Sequence, residues 1–494
     1  NLDLLAGCDL IIEAIAERMD WKHDLYQKVA PHIGPNAIFA SNTSGLSITK
    51  LAEGFDADLK SRYCGVHFFN PPRYMHLVEI IPTEFTKPEI SDQLEGFLTT
   101  TLGKGVVRAK DTPNFIANRV GVFGILAIVH EAEKFGLSVD VVDDLTGAKL
   151  GRAKSGTFRT ADVVGLDTMG HVIKTMQDYL PNDPFAAVYK TPEVLAKLVE
   201  KGALGQKSGA GFYKKVGKEI QRLDFATGEY VAGGAKAADI IARILKEKDP
   251  VKKMKALRES TNPQGQFLWA IFRDAFHYIA IHLDTVADNA RDIDFAMRWG
   301  FGWNVGPFET WQASNWLQVA NWVKEDIDAG HALCNAPLPA WVFEGPVAEK
   351  GGVHTPEGSY SAVSNSFVPR SSLAVYDRQP FRAPVRLKRG RHRTGCKWPT
   401  GSRKTSTPAT RCAMHRCQPG SSKVRSLKKV ACTRRKVRTP PCRTASCHAR
   451  RCPCMTASHS ARQSWAAAPS TARPPAPPSS KTNPCASGIR ATMC

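Results

Sequence analysis

The chain has 494 residues, which is enough for about three domains of roughly 150 residues each. Lys and Arg outnumber Asp and Glu by 67 to 46, giving a net charge of +21, but this excess is unevenly distributed. Residues 381–494 hold 26 of the basic side chains and no acidic one, so the first 380 residues carry 41 basic and 46 acidic side chains. We therefore expect a mildly acidic globular body followed by a strongly basic tail.

The cysteine content argues against a disulfide-rich secreted protein, and the length of the apolar runs argues against a membrane-spanning one. Only Cys8, Cys64 and Cys334 of the 13 cysteines precede residue 395. So sparse a set in a large body is typical of a reducing compartment, and we expect a cytoplasmic protein. The longest apolar run, residues 120–129, is shorter than the roughly 18 residues of a membrane span. The sequence opens on Asn1 with no basic and apolar leader, so we expect no signal peptide and a chain that begins inside a longer one.

The first 110 residues alternate between strand-like and helix-like segments. Four short apolar runs predict strands, at residues 9–15, 37–42, 63–69 and 77–81. Apolar residues at helical spacing over 17–33 lie between the first two runs, and the turn Asn70-Pro71-Pro72 separates the last two. Strands that alternate with helices predict an α/β sheet.

From residue 112 onward the sequence becomes mainly helical. Pro113 stands where the start of a helix tolerates it, and residues 115–135 are long, mostly apolar and free of proline. The sequence predicts a helical domain over 111–216, a linker over 217–262, a second helical domain over 263–345 and a further linker over 346–380.

Two short segments, 151–160 and 300–310, suggest that the helical domain is duplicated. Each follows an amphipathic stretch that contains Asp-Asp or Asp-Ile-Asp, and each places Gly-Thr-Phe or Gly-Pro-Phe at a similar offset. Self-similarity at a matched offset predicts an internal repeat.

The basic tail, 381–494, contains only eight Val, Leu, Ile or Phe residues. A segment with so little apolar surface and so much like charge cannot offset its chain entropy, so we predict disorder. Its Arg, Pro, Ser, Thr, Ala and Cys content is also typical of GC-rich DNA translated in the wrong frame, which is the interpretation we prefer. The alternative is sequence-blind binding to nucleic acid phosphates, but only two tryptophans are present for base stacking. Its cysteines lack the paired spacing of a zinc site, so we predict no metal.

The strongest chemical signal is His67, in Gly-Val-His-Phe-Phe-Asn-Pro, with Glu79 twelve residues later. His67 lies near the end of a predicted strand, where a doubly wound sheet presents side chains to its crevice. The turn at residues 70–72 can bring the next strand back and place Glu79 near the imidazole. A carboxylate on one ring nitrogen fixes the tautomer and leaves the other nitrogen to take a proton. On these residues alone, a core histidine with an unrelated glutamate stays open.

Four blocks in order give this signal its context: Ser41-Asn-Thr-Ser44, His67-Phe-Phe-Asn-Pro71 with Glu79, the run 111–119, and Gly205-Gln-Lys207-Ser-Gly. Together they strongly resemble the L-3-hydroxyacyl-CoA dehydrogenase family of fatty-acid β-oxidation. The resemblance covers about residues 1–215 and, more weakly, 263–325. It implies NAD-dependent oxidation of (3S)-3-hydroxyacyl-CoA to 3-oxoacyl-CoA, with an acyl-CoA substrate and either a homo-oligomer or a β-oxidation partner.

The resemblance also implies roles for individual residues. His67 matches the general base and Glu79 its orienting partner, while Ser44 and Asn118 match the positions that hold the substrate hydroxyl or developing carbonyl. The positions that match cofactor-binding residues are Ala14, Glu17, Lys22, Asn70 and Lys207. Without the family, Ser44 is a turn residue, Asn118 a helix-surface amide, and Glu17 with Lys22 a solvated surface.

Two departures from the family pattern qualify this interpretation. No Gly-x-Gly-x-x-Gly motif precedes the first predicted strand, which resembles the family's fourth. Within 151–160, Gly-Thr-Phe-Arg replaces the usual Gly-Pro-Phe-Glu. We therefore predict a partial Rossmann-like NAD-binding domain over 1–110, then duplicated helical domains and a disordered tail, in an incomplete form of the enzyme. The alternative is a catalytically inactive fragment whose tail binds nucleic acid non-specifically.

Overall fold

A computed structural model describes residues 2–369 of the chain. Its first part is a five-stranded sheet whose spatial order follows the chain order. The strands are β1 (Leu10–Glu13), β2 (Ile38–Ser41), β3 (Tyr63–Phe68), β4 (Leu77–Pro82) and β5 (Gly105–Arg108). The helices among them are α1 (Met19–Val29), α2 (Ile48–Leu51), α3 (Ala57–Ser61) and α4 (Pro88–Thr100). The predicted α/β class is thereby confirmed, and α4 and β5 add to the elements that the sequence predicted.

The sheet is mixed rather than wholly parallel. Strands β1, β2 and β3 run parallel to one another, β4 runs antiparallel to β3, and β5 runs parallel to β4. All four residues of β2 are buried, because both faces of the sheet are covered. Ile38 and Ala40 face the cluster that includes α4, whereas Phe39 faces the opposite core. A reversal between β3 and β4 therefore sits inside an otherwise parallel arrangement.

The first helical part follows β5 directly. Its helices are α5 (Ala117–Lys134), α6 (Val139–Thr146), α7 (Phe158–Val164), α8 (Leu166–Tyr179) and α9 (Glu193–Glu200). A three-stranded antiparallel sheet then forms from β6 (Tyr213–Val216), β7 (Glu219–Leu223) and β8 (Tyr230–Ala232). Helix α5 is preceded by Asn114 and Phe115, whose φ angles of 64° and 54° turn the chain sharply into the helix.

Residues 217–262, predicted as a linker, are instead folded. They contain β7, β8, α10 (Asp239–Lys246) and α11 (Pro250–Arg258). Charged residues dominate this stretch, but Ile241 and Leu245 lie four apart and are both buried. Asp249 accepts hydrogen bonds from the backbone N–H groups of Val251 and Lys252, and so caps α11. An amphipathic pair of short helices explains the charged composition better than a linker does.

The second helical part contains α12 (Pro263–Val286), α13 (Ala290–Gly300), α14 (Pro307–Ala313), α15 (Trp316–Asp328) and α16 (Gly345–Lys350). Two short strands, β9 (Ser359–Ser361) and β10 (Ser366–Val368), form a hairpin inside the predicted linker 346–380. The prediction for the basic tail lies outside the described residues. No helix within residues 2–369 is long and apolar enough to cross a membrane.

The two helical parts share one capping device. Asp143 of α6 accepts hydrogen bonds from the backbone N–H groups of Thr157 and Phe158, at the start of α7. Asp294 of α13 does the same for Phe308 and the next residue at the start of α14. In both places a carboxylate holds the N-terminus of a following helix across a glycine-containing loop. This repeated geometry lies at the two segments that suggested a duplication.

Candidate functional site

His67 and Glu79 meet across the only antiparallel pair of strands in the described five-stranded sheet. They are directly opposite each other in the register of β3 and β4. The Nδ1 atom of His67 lies 2.7 Å from Oε2 of Glu79, and the two residues are 4% and 0% exposed. The strand reversal thus creates the contact that the turn at residues 70–72 suggested.

Glu79 is also fixed from the other side, by the start of α5. Its Oε1 atom accepts hydrogen bonds from the backbone N–H groups of Ile116, at 3.1 Å, and Ala117, at 2.9 Å. The first N–H groups of a helix have no partner within the helix and carry partial positive charge, so they stabilise a buried carboxylate. The sharp turn at Asn114 and Phe115 aims these groups at Glu79. The backbone at the start of α5 therefore fixes the position of the Glu79 carboxylate.

The remaining nitrogen of the His67 ring is available for chemistry. A carboxylate can only accept hydrogen bonds, so Nδ1 donates its proton to Glu79 and Nε2 keeps a lone pair. Within residues 2–369, Nε2 has no hydrogen-bond partner. The rings of Phe69 and Phe115 lie at centroid distances of 4.8 Å and 5.7 Å and restrict water around the imidazole. The arrangement can take up a proton at Nε2 and stabilise the resulting charge through Glu79.

Ser44 and Asn118 lie close together. The Nδ2 atom of Asn118 lies 3.5 Å from the backbone oxygen of Ser44, which joins the first turn of α5 to the loop after β2. Both residues are half-buried. The hydroxyl of Ser44 makes no hydrogen bond to another described residue. A hydroxyl on the loop after β2 and a side-chain amide on α5 thus lie side by side, each partly accessible.

Glu17 reaches the same loop from the end of β1. Its two carboxylate oxygens accept hydrogen bonds from the hydroxyl of Thr43, at 2.5 Å, and from the backbone N–H of Ser44, at 3.1 Å. Glu17 itself is exposed, as are Ala14 and, beyond β3, Asn70. Ala14 and Glu17 follow β1, and Asn70 follows β3. Because parallel strands end at one edge of a sheet, these exposed residues lie at the same edge as the loop after β2.

Lys22 and Lys207, whose cofactor contacts remain predictions, each pair with a carboxylate of the protein. Lys22 is completely buried, and its Nζ atom lies 2.7 Å from Oε1 of Glu13. A buried ammonium needs a buried counter-charge, so this lysine serves the packing of α1 against the sheet. Lys207 is half-exposed, and its Nζ atom lies 2.6 Å from Asp167 at the start of α8. No contact of either lysine within residues 2–369 reaches His67.

Two residues that organise this region were not predicted from the sequence. The Oδ1 atom of Asn42 accepts a hydrogen bond of 2.9 Å from the backbone N–H of Phe68, which ties the end of β2 to the residue after His67. Asp111 accepts hydrogen bonds from the backbone N–H groups of Ile48 and Thr49, at 2.9 Å and 2.8 Å. An Asn that follows a strand and an Asp that precedes a Pro-containing turn are the signals that could have indicated them.

Comparison with known protein families identifies this arrangement. Residues 1–112 match the model of the NAD binding domain of 3-hydroxyacyl-CoA dehydrogenase. Residues 115–215 match the model of the C-terminal domain of the same enzyme. The matched residues, 1–112 and 115–215, are the two domains of the 3-hydroxyacyl-CoA dehydrogenase family.

Individual relatives agree with this assignment. A probable 3-hydroxyacyl-CoA dehydrogenase of Bacillus subtilis is 43% identical over 342 residues, which are 67% of this chain and 43% of that protein. Another from Deinococcus radiodurans is 46% identical over 227 residues, 46% of this chain and 65% of that protein. The chain therefore spans less than two thirds of the length of these relatives.

A solved structure supports the fold over a longer stretch. The 3-hydroxybutyryl-CoA dehydrogenase of Escherichia coli matches 69% of this chain and 82% of its own, with a TM-score of 0.52 and 23% sequence identity. At this identity the likeness shows a shared fold. It extends beyond the two matched family domains and therefore includes part of the second helical region.

Proposed function

We propose that this protein oxidises (3S)-3-hydroxyacyl-CoA to 3-oxoacyl-CoA, with NAD as the hydride acceptor, in cytoplasmic fatty-acid β-oxidation. One observation carries the proposal: Nδ1 of His67 is held by Glu79, itself held by a helix N-terminus, while Nε2 has no partner among the described residues. This is the geometry of a general base whose tautomer and orientation are fixed in advance.

In this reaction Nε2 of His67 removes the proton of the 3-hydroxyl group, and Glu79 stabilises the imidazolium that forms. A counter-charge 2.7 Å away is effective because both side chains are buried and poorly screened by water. The Ser44 hydroxyl and the Asn118 amide hold the substrate oxygen while it changes from hydroxyl to carbonyl. Donors that are already in place lower the barrier because they need no reorganisation.

The residues at the sheet edge fit one part of a dinucleotide. NAD would accept the hydride from carbon 3 of the substrate. The exposed carboxylate of Glu17 can accept further hydrogen bonds from ribose hydroxyls, and the exposed Ala14 and Asn70 offer backbone and amide groups. The rival hypothesis, an inactive fragment with a nucleic-acid-binding tail, remains a prediction from the sequence.

The test is reduction of acetoacetyl-CoA by the purified 494-residue chain, followed through the absorbance of NADH. We expect His67→Gln to lower kcat by about 10²–10⁴-fold, the usual contribution of a positioned acid or base. His171→Gln is the matched control, because His171 is an exposed histidine of α8 that the site does not use. A His67→Gln protein with the wild-type rate, or a wild-type chain that neither binds NAD nor turns over, would refute the proposal.

A further inference from the structure

A cavity of about 410 Å³ opens between the two helical parts, away from His67. It forms where the loops of the repeated segments meet: the backbone N–H of Asn304 donates a 2.8 Å hydrogen bond to the carbonyl of Gly151. Helix α11, from the stretch predicted to be a linker, closes one side. The volume lies in the range of ordinary small-molecule sites, and none of its lining residues belongs to the His67 site.

The lining of this cavity is electrostatically unbalanced. Four cationic side chains line it and no carboxylate does; they are Lys149, Arg152, Lys248 and Lys253. Lys149 is paired with Asp144. The other three form no side-chain ion pair or hydrogen bond with any residue in 2–369. The first 380 residues carry a net negative charge, so an acid-free cluster of cations is a local feature that favours an anion.

Arg152 is held in a fixed orientation by an aromatic ring. Its guanidinium lies 4.0 Å from the centre of the Trp303 indole. Burial lowers the pKa of Arg152 to about 10, which still leaves the group charged at neutral pH. The guanidinium makes no hydrogen bond with any residue in 2–369, so its N–H groups are free to donate two parallel hydrogen bonds to a ligand. That fork matches the oxygens of a phosphate group.

The remainder of the wall is apolar and suits a ring rather than a solvated ion. Met254 and Leu257 of α11 and Phe276 of α12 are buried along the cavity. Phe272 is partly buried beside them. An inorganic anion alone would leave this surface in contact with water. A ligand with both an anionic and a flat apolar part would satisfy both halves of the lining.

We propose that this cavity is a second binding site, for an organic phosphate that carries a flat aromatic ring, of which an adenine nucleotide is the simplest example. The phosphate contacts Arg152, Lys248 and Lys253, and the ring packs on the wall formed by α11 and α12. The site needs the second helical part and α11, and it is independent of the proposed dehydrogenase site.

The test is calorimetric titration of the full chain with ADP, and separately with inorganic pyrophosphate and with oleate. We expect saturable binding of ADP, weaker binding of pyrophosphate and none of oleate. Arg152→Gln and Lys253→Gln should each weaken ADP binding by about tenfold, the effect of losing one charge-assisted hydrogen bond. Lys252→Gln is the matched control, because Lys252 is exposed on the same helix and does not line the cavity.

Four results would overturn the proposal. They are an absence of ADP binding, equal affinity in Arg152→Gln and Lys252→Gln, oleate binding in preference to ADP, and ADP binding abolished by Glu17→Ala alone. The last would place the nucleotide at the dehydrogenase site instead. Lys253→Gln changes a partly exposed side chain, so the test does not depend on whether Arg152→Gln folds. Conversely, loss of turnover in His67→Gln leaves this prediction untouched.

Discussion

Replacing Glu79 by Gln tests how the base is held. One carboxylate oxygen accepts from Ile116 and Ala117, and the other accepts from His67. The single carbonyl of a glutamine would remain with the two backbone N–H groups, because those are donors only. Its NH₂ group would then face Nδ1 and force that nitrogen to accept, so the ring proton would move to Nε2. The variant therefore loses the counter-charge and acquires the wrong tautomer, while the shape of the side chain is kept.

The size of the effect follows from the separation of the charges. A contact of 2.7 Å between Nδ1 and Oε2 puts the centres of the two charged groups about 4 Å apart. At an effective dielectric constant of about 20, their attraction is about 4 kcal/mol. Since each 1.36 kcal/mol is a factor of ten in rate, we expect kcat to fall about 10³-fold. The substrate contacts are unchanged, so KM should move much less than kcat.

The assay is steady-state reduction of acetoacetyl-CoA, with thermal unfolding measured in parallel. Glu84→Gln is the control, because Glu84 is an exposed acid in the loop after β4. A folded Glu79→Gln protein that retains more than about a tenth of the wild-type kcat would show that Glu79 does not position the base. If Glu84→Gln changed KM and kcat as much as Glu79→Gln does, the loss of rate would reflect general damage to the protein rather than the loss of the counter-charge.

The other predictions concern stability. Lys22→Met should cost about 3–5 kcal/mol in urea unfolding, because it removes the counter-charge of the buried Glu13 carboxylate, whereas Lys28→Met on the exposed side of the same helix should stay within about 0.5 kcal/mol; similar values for both would contradict the burial of Lys22. Asp143→Ala and Asp294→Ala should each cost about 2–4 kcal/mol, since each loses a helix cap and buried hydrogen bonds; a loss below about 1 kcal/mol at either position would refute the shared capping role. Burial raises the pKa of Glu131 to about 7, from 4.5 in the unfolded chain, so its protonation favours the fold and its contribution to stability should fall as pH rises from about 4.5 to about 7. In thermal unfolding measured across this pH range, the stability of Glu131→Gln should depend less on pH than that of the wild type. An unchanged pH dependence would contradict the raised pKa of Glu131.

The structure departs from the predicted linkers, and from a solvated position for Lys22, for a common reason. Near a helix start, spacing alone does not say whether a lysine faces solvent or the sheet. Lys22 faces the sheet because Glu13, on β1, offers it a carboxylate 2.7 Å away. Residues 217–262 have a charged composition that predicts a solvated segment, but Ile241 and Leu245 of α10 are buried, as are two apolar side chains of α11. Both outcomes depend on the neighbours that the fold supplies.

The amino-acid sequence alone determined the features that rest on local spacing. Short apolar runs located β1 to β4, because buried strands need continuous apolar residues. Pro71 and Pro72 located the reversal that sets His67 opposite Glu79, because a helix cannot cross that turn. The ordered polar motifs indicated the chemistry through their resemblance to the 3-hydroxyacyl-CoA dehydrogenase family.

Only the tertiary structure decided what lies far apart in the chain. Glu79 is held by backbone groups 37 and 38 residues away, which no local pattern reveals. The cationic cavity draws on Arg152, Lys253 and Trp303, which belong to three separate segments. Local periodicity specifies which face of an element is apolar, but packing decides which elements meet. The partner of a charged side chain, and hence its role, is therefore set by the assembled fold.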